Sequence, residues 1–249
     1  KNIERHHSAT HIIHWALREI LGSHVQQAGS YVDDERLRFD FSHYEAINAE
    51  DLEQIESLCN ERQLENTRCQ WYETDFDQKP EDVIAFFGDK YGDRVRIVEI
   101  GGFSKELCGG THVKATGEIG LLKIVSESAI AAGTRRIEAI VGPNAYQLVN
   151  DMQTTISKLS EDLSTPEKEI MMKVESLLAR NAELEKRMKG FEQKEAGNVA
   201  DELAAQATSK GNLKVVKAVV SAENPNALRQ LGANLLGKLG EGVAILGAE

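Results

Sequence analysis

The apolar residues of this chain change their spacing as it proceeds, and each change marks a different kind of element. Ile12, Ile13, Ala16, Leu17 and Ile20 recur at helical intervals and Gly22 follows, which predicts an amphipathic helix over residues 8–21. Arg36-Leu37-Arg38-Phe39-Asp40-Phe41 alternates strictly, the pattern of a half-buried strand. Residues 51–64 are polar with apolar punctuation at Leu52, Ile55 and Leu58, which predicts a surface helix. A short helix is expected at 80–87 and a strand at 94–100. Two more strands are expected at 121–125 and 136–141, separated by the small residues of 129–133. Residues 1–141 therefore read as an α+β domain with a mainly antiparallel sheet.

Beyond that point the strand signals stop. Helical spacing runs from Tyr146 to Leu163, and Thr165-Pro166 supplies an N-cap and a proline at the first helical position. Ile170, Val174, Leu177, Asn181, Leu184, Met188 and Phe191 then repeat at alternating intervals of four and three, a coiled-coil seam with Asn181 at a core position that sets register. A seam this long needs a partner. The expectation is an antiparallel hairpin with the preceding helix, turning at residues 164–166, with self-association as the other option. Residues 142–207 thus read as a helical coiled-coil linker. In residues 208–249 the pattern is strand (213–220), helix from Asn224-Pro225 to about Leu239, and strand (243–246). That is a partial β-α-β piece, the truncated start of a C-terminal α/β domain. The chain also lacks an initiator Met, which suggests a fragment or a processed chain.

Composition narrows the setting. No apolar run approaches the ~18 residues of a membrane span, and the charged opening lacks a secretory leader. Three cysteines without CxxC spacing argue against a disulfide framework and for a reducing, cytoplasmic compartment. Cys59 and Cys69 have no ligand-type neighbours and read as ordinary partly buried residues. The formal net charge of −11 is wrong for a general nucleic-acid binder. It leaves room for a local basic patch, for which Lys105, Lys114, Lys123, Arg135 and Arg136 are the candidates. The alternative for Arg135 and Arg136 is a strand end making surface ion pairs.

The chemistry is concentrated in two short motifs. His7 and His11 are one helical turn apart and can point to a common centre. Cys108 and His112 flank Gly109-Gly110, where the backbone can bend tightly enough to bring a thiolate and an imidazole together. Three imidazoles and one thiolate are a natural zinc set, and the two pairs lie about a hundred residues apart, so the metal would join distant parts of one fold. His14, one turn beyond His11, is the rival ligand; His6, His24 and His43 read as structural or surface residues. The residues between His7 and His11 are Ser8, Ala9 and Thr10, so the HExxH arrangement of a zinc protease is excluded.

These motifs carry a resemblance. His7-Ser8-Ala9-Thr10-His11, Arg38-Phe39-Asp40-Phe41-Ser42-His43, Glu106-Leu107-Cys108-Gly109-Gly110-Thr111-His112 and Gly133-Thr134-Arg135-Arg136-Ile137-Glu138-Ala139 resemble, in order and spacing, the editing domain of bacterial alanyl-tRNA synthetases. The later helical and β-α-β segments are similar to that family's linker and C-terminal domain. The resemblance implies a zinc-dependent hydrolase that clears Ser-tRNA(Ala) and Gly-tRNA(Ala), acting on the tRNA(Ala) acceptor end. It implies His7, His11, Cys108 and His112 as metal ligands, and Thr10 and Gln27 as residues lining the amino-acid pocket. It does not identify a general base. The family's ATP-binding core is absent, so no aminoacylation is expected of this chain. A free-standing trans-editing deacylase and a non-catalytic zinc-stabilised tRNA-binding module are the alternative readings.

Overall fold

In a computed structural model the described residues are 1–85, 92–222 and 224–248. They divide into two compact units, residues 1–156 and 157–249.

The first unit is built round helix α1, Asn2–Leu21. It starts six residues before the predicted start at residue 8, in a largely polar first turn that carries Glu4, which favours a helix N-terminus. Strands β1 (Gln27–Val32) and β2 (Leu37–Ser42) form a hairpin. In β2 the alternation is realised in full, with Leu37, Phe39 and Phe41 completely buried. Helix α2, Ala49–Leu64, is capped by Asn48, whose side chain accepts the Asp51 N–H. Then come β3 (Cys69–Asp75), β4 (Arg94–Ile100) and β5 (Ser104–Leu107), an antiparallel sheet in that order. Strands β6 (Leu122–Ala131) and β7 (Thr134–Val141) complete the other sheet, ordered β1-β2-β7-β6 and antiparallel throughout.

Three expectations shift. The small residues of 129–133 are not a separator: 129–131 extend β6, and the hairpin turns on Gly133 at φ 71°. Strands β1, β3 and β5 lacked a sequence signal. The helix expected at 80–87 lies partly outside the described residues; within them, 80–85 make a turn and a parallel bridge from Ile84 to Glu106.

Helix α1 touches both sheets, so its apolar face and the inner faces of the strands make one core: Ile12, Ile13 and Leu17 with Phe39, Phe41, Ile137, Val98 and Ile100. Helix α2 docks on edge strand β6 through polar side chains. Asn60 exchanges two hydrogen bonds with the Leu122 backbone, and Glu56 accepts the Ile124 N–H. That covers a sheet edge whose backbone groups would otherwise be unpaired.

Helix α3, Pro143–Asp162, spans the division between the units. Helix α4, Ile170–Ala205, is a single element 36 residues long, and its seam residues Leu177, Leu184, Met188 and Phe191 are all exposed. The helix is there, and among the described residues these four seam positions are not covered by a partner helix. In the second unit β8 (Thr208–Lys210), β9 (Leu213–Val220) and β10 (Gly242–Ala248) form a sheet with β9 and β10 parallel, joined by α5, Pro225–Leu239. Leu231, Leu235 and Leu239 of α5 pack with Ala200 and Leu203 of α4 over Val216. The fold is therefore α+β with mainly antiparallel sheets and a β-α-β ending. Among the described residues no helix is long and apolar enough to cross a membrane.

Candidate metal centre

Helix periodicity places His7, His11 and His14 along one side of α1, at intervals of four and three. The loop after β5 brings Cys108 and His112 against them. The Cys108 Sγ lies 3.3 Å from His7 Nε2 and 3.4 Å from His112 Nε2, and the donor atoms of His7, His11, Cys108 and His112 all lie within 4.8 Å of one another. Around a tetrahedral zinc, ligand atoms at ordinary bond lengths would be separated by about 3.3–3.6 Å. The cluster already approximates that spacing.

Two observations say that the donors suit a metal. The first is an orphan: His11 Nε2 is buried and has no hydrogen-bond partner. The second is electrostatic. Burial alone would raise the Cys108 thiol, but the imidazoles of His11, His112 and His7 gathered round the sulfur outweigh it and draw the group down to about 3. The sulfur is therefore a thiolate, the form that binds zinc. Burial alone would lower His11, yet Glu106 and Cys108 push it up to about 10.

The loop is held from several directions. Arg96 of β4 donates from its side chain to the carbonyls of Gly110 and Cys108, while its own carbonyl accepts the Cys108 N–H. The Ser8 hydroxyl accepts the Val113 N–H and bonds His112 Nδ1 at 3.1 Å. Gly110 packs so closely on the His7 ring that a Cβ there would fall 1.7 Å from Cε1.

Glu106 was not singled out by sequence reasoning. Only 1% exposed, it accepts from His11 Nδ1 at 2.6 Å and from His14 Nδ1 at 2.9 Å. Burial would raise its carboxyl, but the charges and hydrogen bonds of the two histidines prevail and lower it to about 2. His14, the rival ligand, is thus engaged with Glu106. The sign the sequence offered was a glutamate two residues before a ligand, inside the Cys108 motif. Among the other histidines, His6 is buried between the Asp33 carbonyl and the Val141 N–H, and His24 and His43 bond each other near the surface. Cys59 and Cys69 are buried away from the cluster, and burial raises both thiols.

The pocket candidates are less clear-cut. Thr10, 4% exposed, donates its hydroxyl to the His6 carbonyl at 2.9 Å. Gln27 lies on β1 and its amide donates to Ser30 Oγ. No hydrogen bond joins these two among the described residues. The expected cationic rim is largely neutralised as well. Lys105 pairs with Asp82, Lys123 with Glu56, Arg135 with Glu127 and Arg136 with Asp40, which is the ion-pair alternative.

With this geometry in view, residues 95–138 match the family model described as the threonyl and alanyl tRNA synthetase second additional domain. The chain is 54% identical over 246 residues to an alanine–tRNA ligase of Opitutus terrae, covering 99% of this chain and 26% of that protein. It is 45% identical to an alanine–tRNA ligase of Hydrogenovibrio crunogenus over 98% of this chain and 28% of that protein. Against one from a Thermoanaerobacter species the figures are 44%, 99% and 28%. Along its whole length the chain is homologous to part of the alanine–tRNA ligases. It spans only about a quarter of the length of those relatives. The family-model match begins in β4 and ends in β7, so it encloses Glu106, Cys108 and His112 but neither His7 nor His11.

Proposed function

We propose that this chain is the editing part of an alanine–tRNA ligase, a cytoplasmic zinc-dependent hydrolase that removes seryl and glycyl groups from tRNA(Ala). In that reading residues 1–141 form the editing domain, 142–207 a helical linker whose seam pairs with another helix, and 208–249 the beginning of a C-terminal domain. The supporting observation is the four-donor cluster with its orphaned His11 Nε2, built inside a stretch that is homologous to these ligases.

His7, His11, Cys108 and His112 would hold the zinc. When bound, it supplies a fixed positive charge beside the ester, able to polarise a carbonyl or lower the pKa of water. Selection then rests with the chain's own residues. The Thr10 hydroxyl already donates its hydrogen bond to the His6 carbonyl, so its oxygen can only accept, and a seryl hydroxyl can donate to it. The Gln27 amide offers a second polar partner. A glycyl ester leaves room for water on the Thr10 oxygen. An alanyl methyl would cover that oxygen without bonding it, which penalises the correct product.

A zinc-loaded sample should release serine from Ser-tRNA(Ala) and leave Ala-tRNA(Ala) intact, with the release lost on Cys108→Ala. A folded sample holding one zinc per chain that releases no serine above background would overturn the proposal.

A further inference from the structure

The antiparallel register of the β3-β4-β5 sheet sets Trp71, Val98 and Glu106 in one row across three strands, on one face. The inner end of the row is deeply buried. Val98 is 2% exposed and Glu106, which grips His11, is 1% exposed. The outer end is the opposite: Trp71, on edge strand β3, is 59% exposed. Two strand spacings put this indole on the order of 10 Å from the carboxylate that orients a candidate metal ligand. A large aromatic left to solvent at that distance from a reactive centre is a feature to explain.

Arg96 connects the two ends. Its guanidinium carbon lies 4.5 Å from the centroid of the Trp71 ring, while the same guanidinium donates to the carbonyls of Gly110 and Cys108. The indole is thus braced by a cation that is itself fastened to the ligand loop. A braced aromatic with a guanidinium beside it suits an unpaired nucleobase: it stacks on any base, and the positive charge favours the adjoining phosphate.

We infer that Trp71, braced by Arg96, is the stacking platform for an unpaired base in the single-stranded 3′ end of the tRNA ester. The inference rests on the proposed action on tRNA and adds the group that holds the substrate's end. Charge favours a stacked single strand over a gripped duplex. The chain carries a formal net charge of −11, and four of the five cations near the motifs are already paired with carboxylates. Phosphate contacts alone would then be few, and single-stranded ends are recognised mainly by stacking and base-edge contacts.

The test uses the full chain with zinc bound and two RNA hairpins, one ending in single-stranded CCA and one blunt. Wild type should bind the CCA hairpin more tightly. Trp71→Ala should weaken that preference by roughly 5- to 100-fold, the range for loss of one stacked base, with blunt-hairpin binding and zinc content unchanged. Trp71→Phe, which keeps a π face, should retain most of the affinity, and Trp71→Leu, which keeps only apolar bulk, should not. Equal affinity of the Phe and Leu variants, or a Trp71→Ala variant that binds CCA as wild type does, overturns the inference. So does a wild type that fails to distinguish the two hairpins. Failure of the editing proposal looks different: wild type binds CCA in a Trp71-dependent way but releases no serine.

Discussion

At the scale of single residues, the candidate centre depends on how little room one glycine leaves. A Cβ on Gly110 would meet the His7 ring at 1.7 Å, whereas one on Gly109 would meet nothing within 4 Å. Gly110→Ala should therefore abolish stoichiometric zinc binding, and Gly109→Ala should leave it nearly intact, as metal analysis of the two purified variants would show. Glu106 sets a second requirement, because by accepting from His11 Nδ1 it leaves Nε2 to face the cluster. Glu106→Gln should weaken zinc binding by about 10- to 100-fold, the usual cost of losing such a partner, measured by competition with a chelator. The four donors were legible in the sequence because each pair is local. Glu106 was not, since it reaches His11 and His14 across 95 and 92 residues and belongs to no ligand spacing, and so the engagement of His14 with it could not be read either.

Among the strands, legibility followed buried apolar alternation, and β5 was missed although three of its four residues are buried, because two of those, Ser104 and Glu106, are polar. Strand β2 was plain because it hides every second residue, and Phe39 and Phe41 occupy the centre of the core. Phe39→Ala should destabilise the first unit by about 3–5 kcal/mol in denaturant unfolding. Strand β3 was invisible for the opposite reason: only Cys69 of its seven residues is buried, and the strand exists by pairing with β4. Strand β1 likewise has no buried residue, and β8 has three exposed residues held by β9. Of the two places where a capping side chain stands beside a proline, Thr165-Pro166 is followed by a short 3-10 turn and α4 begins only at Ile170 without a side-chain cap, whereas the other caps its helix. Asn224 accepts the N–H groups of Asn226 and Ala227 at the start of α5, with Pro225 beside it. Asn224→Ala should cost the second unit about 1 kcal/mol, seen as a lower denaturation midpoint in that unit's amides.

For the whole molecule, a metal at this centre would join α1 to a loop 101 residues further on and so clamp the first unit against unfolding. Stripping it with a chelator should remove stabilisation of about 4 kcal/mol if free zinc stood a thousandfold above its dissociation constant. Hydrogen exchange should then quicken across residues 1–156 while amides of the second unit keep their protection. Equal loss of protection in both units would contradict this. Taken alone, the sequence determined what depends on neighbours in the chain: the amphipathic helices, the alternating strand, the start of α5 at Asn224-Pro225, and two donor pairs of the right chemistry. Tertiary structure decided what depends on distant approach. It brought the pairs within bonding distance of one another, set Glu106 between two histidines, sequestered the flanking cations in ion pairs and left Trp71 bare at a sheet edge. The division has one physical cause: periodicity and capping act over a single turn or pleat, whereas register between strands fixes which remote side chains share a face.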